Sequence, residues 1–178
     1  MLPADRIRAL LREFDDPQHL ERPRDFDLKA SAHRFAQLTH ALTERFGPSC
    51  ESGLSQDASY YGVIDVPADA TGLGRPLWVL LSNFGSFVTT GTGDDWGVPS
   101  AKEGLTEEFV TWLDGICTAQ GLTFVPIELL LEPYDGPSLA DEEIPAELLA
   151  AFADDGEEEE DEGPELPLAW WDRYFQYM

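Results

Sequence analysis

The segment Leu77-Trp78-Val79-Leu80-Leu81 is an almost unbroken apolar run near the middle of the chain. Side chains of a strand alternate between the two faces of a sheet, so a run without polar positions predicts a central strand covered on both faces. Asn83-Phe84-Gly85 supplies a turn after it, and Ser86 to Thr90 predicts the returning strand. Together with Ala58 to Val66, a strand ended by Pro67, these segments predict a three-stranded antiparallel meander.

Apolar residues at helical spacing predict three longer helices around this meander. Asp27 suits the N-cap of the second helix, and Gly47 suits its end. Acids in the first turn of the third helix favour its start there, because they complement the helix dipole. The predicted helices are Pro3 to Phe14, Leu28 to Phe46 and Thr106 to Gln120.

A last strand is predicted over Leu122 to Leu131. Pro126 places this strand at an edge of the sheet or at a bulge, because proline cannot donate to a strand ladder. A short helix is predicted further on, over Ile144 to Phe152, ahead of an acidic run.

An aromatic cluster closes the chain. Its rings cannot all be exposed without forming a sticky patch, so we expect them to pack against the sheet or the first helices. The alternative is a terminal recognition segment, since tryptophan and tyrosine are frequent hot-spot residues. The cluster consists of Trp170, Trp171, Tyr174, Phe175 and Tyr177.

The length of 178 residues suits one domain. The sequence therefore predicts a single α+β domain over residues 1–178. It has two N-terminal helices, an antiparallel sheet of about four strands and a helix before the last strand. We expect residues 154–165 to form a disordered acidic insert, after which the aromatic segment returns to the domain.

Negative charge is unevenly distributed along the chain, whose formal net charge is −24. Residues 1–50 carry eight acids and eight bases. Residues 51–134 carry twelve acids against Arg75 and Lys102, a net of −10. Residues 135–178 carry fifteen acids against Arg173, a net of −14. Such a charge restricts the partners of a protein more than it restricts its fold.

Charge, hydropathy and cysteine spacing exclude several classes of partner and location. Nucleic-acid binding and attraction to an anionic membrane both need a positive surface, so we expect neither. No apolar run is long enough to predict a transmembrane helix, and the N-terminus lacks the apolar core of a signal peptide. Cys50 and Cys117 do not have metal-ligand spacing. We therefore expect a cytoplasmic protein without a cofactor or metal.

Candidate catalytic residues are few. His33 and His40 fall on the polar side of the second helix, where His40 and Glu44 are spaced for one exposed ion site. A solvated helix face is the favoured interpretation, because catalytic metal ligands usually lie in a cleft. We interpret His19 as a linker residue and Cys117 as a buried, unreactive thiol.

Residues Gly91 to Gly104 form a glycine-rich loop that contains Asp94, Asp95 and Trp96. It lacks the lysine of a phosphate-binding loop, and its acids would repel a phosphate. The two acids could bind a hard cation, although adjacent acids in a loop are more often solvated. A small hydrolase or transferase with its site in this loop is an alternative, without a Ser-His-Asp order or a nucleophile elbow to support it.

Three interpretations are open for the acidic run near the C-terminus. It could be a solubilising insert, a docking surface for a basic partner, or a mimic of nucleic-acid phosphates. Docking is favoured because residues 51–134 are also strongly acidic, so the negative field belongs to the folded body as well. An adaptor domain whose acids serve only solubility is the remaining alternative.

The helix–meander–helix–strand order, the acidic composition and the core segment Leu77 to Phe87 resemble the immunity proteins of bacterial polymorphic-toxin systems. The resemblance is one of general type, includes no diagnostic motif and transfers no binding residue. The long acidic insert departs from the pattern. Immunity proteins are small, acidic, cytoplasmic chains that bind and block a cognate toxin without catalytic residues. The resemblance thus implies a non-enzymatic inhibitor of a basic partner, such as a toxin nuclease.

The charge distribution then predicts which residues contact such a partner, while the oligomeric state stays open. We expect the contacts to come from the glycine-rich loop and the acidic insert. The predicted residues are Asp94, Asp95 and Trp96 in the loop, with Asp154, Asp155, Glu157, Glu158, Glu159, Glu160, Asp161 and Glu162 in the insert.

Overall fold

The structure, a computed structural model, describes residues 1–56, 58–136 and 168–176. It is a mixed α+β fold with a five-stranded sheet whose strands lie in chain order. The strands are β1 (Glu51–Leu54), β2 (Tyr60–Val66), β3 (Leu77–Ser82), β4 (Phe87–Thr92) and β5 (Thr123–Phe124). The described helices are α1 (Ala4–Glu13), α2 (Leu28–Phe46), α3 (Ala68–Thr71), α4 (Glu107–Ala119), α5 (Ile127–Leu130) and α6 (Trp170–Phe175), with a 3-10 helix at Pro99–Lys102.

The predicted central strand is confirmed as β3, in which all six residues are buried. Trp78 and Leu80 face a layer formed by α1, α5 and α6, which we call the first layer. Leu77, Val79 and Leu81 face the opposite layer, formed by α2 and α4. The sheet therefore has an apolar core on each face, which explains why β3 shows no alternation of polar and apolar residues.

The two long helices begin and end where their capping residues predict. Helix α2 spans Leu28–Phe46, with the Asp27 side chain accepting a hydrogen bond from the Ala30 N–H at 2.9 Å. Gly47, at a φ of 96°, ends it. Thr106 caps α4 in the same way, since its hydroxyl accepts from the Phe109 N–H at 3.2 Å. Local side-chain chemistry thus determines these boundaries.

The prediction of an antiparallel sheet of about four strands is wrong in two respects. The sheet is mixed, because β5 pairs in parallel with β4. The predicted last strand is also much shorter, because Pro126 interrupts it and Ile127–Leu130 forms α5 instead. Strand β1 was not predicted, since all four of its residues are exposed and show no apolar alternation.

Packing of the C-terminal aromatic residues is confirmed for those the structure describes. Trp170, Trp171, Tyr174 and Phe175 are each at most 4% exposed and belong to the first layer's core. The predicted helix Ile144 to Phe152, the insert at 154–165 and Tyr177 lie outside the described residues.

Candidate functional site

The loop after β4 is tied down at its base and exposed at its tip. The Thr92 hydroxyl, at the end of the strand, donates a hydrogen bond to the carbonyl of Glu103 across the loop. Between these anchors, the side chains of Asp94 and Asp95 are exposed, whereas that of Trp96 is half-buried. The loop therefore presents two carboxylates to solvent and turns its aromatic ring inward.

Trp96 forms one wall of a pocket of about 260 Å³. Its ring centroid lies 6.0 Å from that of Tyr60 and 6.1 Å from that of Trp78. Trp171 and Phe175 from α6 stack on each other with centroids 5.4 Å apart and supply further walls. This aromatic pocket is lined by Ala58, Tyr60, Trp96, Trp171, Phe175 and Gln176.

Gly97 allows the loop to approach α6 closely. Its φ of +71° is a left-handed conformation that glycine adopts without steric strain. A Cβ atom added there would lie 2.3 Å from Nε1 of Trp171. The loop backbone packs against Trp171 because residue 97 has no side chain.

A buried ion pair anchors α6, and with it one side of the pocket. Arg173 Nε lies 2.7 Å from Asp15 Oδ1, and the two side chains are 0% and 4% exposed. Asp15 Oδ2 accepts a second hydrogen bond, 2.6 Å long, from the Tyr134 hydroxyl. Burial, together with this bond, raises the pKa of Tyr134 and keeps it a neutral donor. The guanidinium carbon of Arg173 also lies 4.2 Å from the ring centroid of Phe84.

Five exposed carboxylates lie at one end of the sheet and form no ion pair with any residue that the structure describes. Val66 at the end of β2 pairs with Leu77, and Leu77 pairs with Thr92 at the end of β4, so the loops after β2 and β4 start side by side. Arg75 at this end is engaged by Glu103 at 3.5 Å. The five residues, called the acidic end below, are Glu51, Asp65, Asp69, Asp94 and Asp95.

Two of these acids face each other directly. Glu51 and Asp65 are partners in the β1–β2 register, and Asp65 is in turn opposite Trp78 in the β2–β3 register. Cross-strand partners lie on the same face of a sheet, so both acids share the face of Trp78, the ring that also contacts Trp96. The Asp65 side chain is exposed overall but partly desolvated, and this desolvation, followed by the charge of Glu51, raises its pKa. The acidic pair and the aromatic pocket thus occupy one face.

Sequence reasoning identified part of this arrangement. Asp94, Asp95 and Trp96 lie in one loop, as their adjacency requires. Glu51, Asp65 and Asp69 were missed, because only the strand register brings them to the same end of the sheet. The insert residues predicted to bind, Asp154, Asp155 and Glu157 to Glu162, lie outside the described residues.

The other candidate groups contribute little recognisable chemistry. His40 Nε2 lies 3.6 Å from Glu44 Oε1, with both side chains exposed, as the spacing predicted. Cys117 is completely buried as predicted, and burial raises the pKa of its thiol.

Among the described residues, no group of three or more His, Cys, Asp or Glu side chains could hold a metal ion. No helix in the described ranges has the length and apolarity needed to cross a membrane.

A second cavity, of about 730 Å³, lies between the end of α1, the start of α2 and the turn from β3 to β4. Arg24, Arg34 and Asp25 are among its lining residues, and Arg34 Nη1 donates to Ser86 Oγ at 2.7 Å. Five acids and two arginines line the cavity in all, and Asp15 is already paired with Arg173, so groups of both charge signs meet there. It gives no reason to prefer one class of ligand.

Comparisons with protein-family models, with curated proteins and with solved structures found no match. Function is therefore inferred from the residues of the acidic end and of the aromatic pocket.

Proposed function

We propose that this chain is a non-enzymatic, cytoplasmic binding protein whose acidic surface binds and neutralises a basic protein partner. A toxin is the class of partner that the resemblance to immunity proteins suggests. The acidic end is the observation that supports this proposal: five exposed carboxylates converge there, and none of them forms an ion pair with a described residue. Asp94, Asp95 and Trp96 are the proposed contacts from the loop.

Fixed geometry distinguishes this surface from a merely solubilising one. Carboxylates held by strands and a short loop keep a constant arrangement, so their field can orient an approaching basic surface and raise the association rate. A solubilising surface needs only net charge, and scattered acids supply that equally well. The convergence of the acids at one end therefore favours docking.

The Glu51–Asp65 pair adds a second argument. Like charges opposite each other across two strands destabilise the folded protein. A lysine or arginine from a partner placed beside them would relieve this repulsion, so part of the binding energy would come from strain already present in the free protein. The acidic insert, residues 154–162, is proposed to add longer-range attraction to the same partner.

The proposal is tested by neutralising the acidic end while matching the change in net charge elsewhere. The test variant is E51Q/D65N/D69N/D94N/D95N. The control variant D5N/E13Q/E44Q/E107Q/E108Q removes five acids from other parts of the described surface. Each immobilised protein is exposed at low salt to a lysate of cells that encode the chain. Retained proteins are identified by mass spectrometry, and their activity is measured with and without the chain.

We expect the wild type and the control variant to retain and inhibit the same basic protein, with binding that weakens as salt rises. The test variant should associate at least tenfold more slowly. Equal binding by the two variants would contradict the proposal. If the wild type retains a partner that is not basic and the test variant loses it, an adaptor domain is favoured over an inhibitor of a basic protein. Deleting residues 154–162 then measures how much the insert contributes to the affinity. Binding should survive the deletion and depend less on salt.

A further inference from the structure

We propose that the aromatic pocket receives the guanidinium group of an arginine side chain from the basic partner. The inference rests on the proposed function and deepens it, because it names the side chain that anchors the complex. The pocket would supply contact and specificity, whereas the acidic end supplies long-range attraction.

The walls of the pocket suit a flat cation. Tyr60, Trp96, Trp171 and Phe175 present rings around a volume of about 260 Å³. Aromatic faces attract cations through the ring quadrupole, and tryptophan does so most strongly. Two of these rings, Tyr60 and Trp96, are only half-buried, so the pocket opens to solvent on their side.

Charge around the pocket selects a cation over an apolar side chain. Asp94 and Asp95 directly precede Trp96 in the same exposed loop, and Asp65 lies on the same face of the sheet beside Trp78. An apolar side chain would bring these carboxylates towards a dry interface without a counter-charge. A second copy of this chain is disfavoured as the occupant, because two copies each carry a net charge of −24.

Arginine fits better than lysine for a reason seen elsewhere in the molecule. The guanidinium group of Arg45 lies 4.7 Å from the ring centroid of Trp112, and that of Arg173 lies 4.2 Å from Phe84. Arg22 also lies over Phe26, at 5.7 Å, so arginines cover aromatic faces in three places among the described residues. Planar guanidinium stacks on rings and is weakly hydrated, whereas the ammonium of lysine holds its water strongly. No described arginine lies over Trp96.

The test uses the full chain and a short capped peptide, Gly-Gly-Arg-Gly-Gly. Matched peptides carry citrulline, which has the shape of arginine without its charge, or lysine at the third position. The indole N–H signals of the five tryptophans are followed by NMR during titration. Trp112 is the internal control, because it packs in the opposite layer and Arg45 already lies over it.

We expect the arginine peptide to shift the signals of Trp96 and Trp171 in a saturable manner while Trp112 stays unchanged. The citrulline peptide should leave all of these signals unshifted, and the lysine peptide should bind about threefold more weakly than the arginine peptide. W96L should abolish the shift at Trp171, whereas W112L should preserve it. D94N/D95N, which leaves the rings intact, should weaken binding about three- to fivefold. Equal shifts with citrulline, or shifts at Trp112 as large as those at Trp96, would overturn the inference.

Failure of this inference can be separated from failure of the proposed function. A partner that depends on the acidic end yet binds W96L as tightly as the wild type contradicts the arginine anchor alone. An arginine peptide that saturates the pocket, in a chain that neutralises no basic protein, contradicts the proposed function alone.

Discussion

Arg173 and Asp15 form an ion pair that is closed to solvent, with Nε 2.7 Å from Oδ1, although 158 positions separate the two residues. Arg173 also donates to the backbone carbonyls of Asp16 and Leu20. The pair thus holds α6 against the segment after α1. Because α6 supplies Trp171 and Phe175 to the aromatic pocket, this contact also determines where the pocket forms.

Replacing Arg173 by methionine should strongly destabilise the protein. The change leaves the Asp15 carboxylate buried without a counter-charge, and we expect the free energy of unfolding to fall by about 3–5 kcal/mol. Urea denaturation followed by tryptophan fluorescence measures the loss. The matched control is R12M, since Arg12 pairs with Asp135 on the surface, both about half exposed. R12M should have only a small effect.

The double variant D15N/R173M checks the reason for that loss. It removes the uncompensated charge, so it should be more stable than R173M alone. If R173M and R12M lowered the free energy of unfolding equally, burial of the Arg173–Asp15 pair would have no energetic consequence. That result would contradict the prediction for R173M.

Two neighbouring threonines of β4 should respond in opposite directions to the same substitution. Thr90 Oγ1 donates to the Trp78 carbonyl at 2.7 Å, whereas Thr89 Oγ1 is buried without a partner among the described residues. Valine has nearly the shape of threonine but no hydroxyl. T89V should therefore raise the free energy of unfolding by about 1 kcal/mol, because it removes an unsatisfied polar group.

T90V should lower the same free energy by about 1 kcal/mol, because it removes a satisfied bond and leaves the carbonyl of Trp78 with one bond fewer. Both side chains are at most 1% exposed, so burial does not separate the two variants. Thermal unfolding of both proteins in one buffer makes the comparison. Destabilisation by T89V to the same extent as by T90V would contradict the expected difference.

The parts of the fold predicted from sequence are those determined by local chemistry. The apolar run of β3 needed no knowledge of its neighbours, and Asp27 and Gly47 mark the ends of α2 by themselves. Strand β5 and helix α5 were misread because a single proline, Pro126, divides an apolar segment whose composition suits either element. Strand β1 depends on its partner β2 for its conformation, so its own residues carry no signal.

The candidate site was predicted less completely because it depends on register and on a distant return of the chain. Asp94 and Trp96 are close in sequence, but Asp65 comes to the same end of the sheet only through the pairing of β2 with β3 and of β3 with β4. Trp171 reaches the loop through the packing of α6, which the Arg173–Asp15 pair helps to anchor. Long-range contacts of this kind leave no periodic pattern along the chain.

Removing the charge of Asp65 should stabilise the protein at neutral pH. Partial desolvation and the charge of Glu51 raise the pKa of Asp65, so the folded state binds the proton of this carboxyl more tightly than the unfolded chain does. Its ionised form therefore destabilises the fold at any pH well above the unfolded pKa of about 3.9, and protonation at lower pH removes the penalty. D65N should gain on the order of 0.5 kcal/mol at pH 7 and about nothing near pH 3.

Urea denaturation at several pH values measures this gain, with D95N as the control because Asp95 is an exposed acid in the loop after β4, outside the strand register. E51Q should reproduce part of the gain, and E51Q/D65N should gain less than the sum of the two. An equal gain at pH 3 would mean that something other than ionisation is responsible. If the acidic end binds a basic partner, D65N must also weaken that complex. A variant that is more stable yet binds less tightly would show that the repulsion between Glu51 and Asp65 lowers stability while the charge of Asp65 contributes to binding.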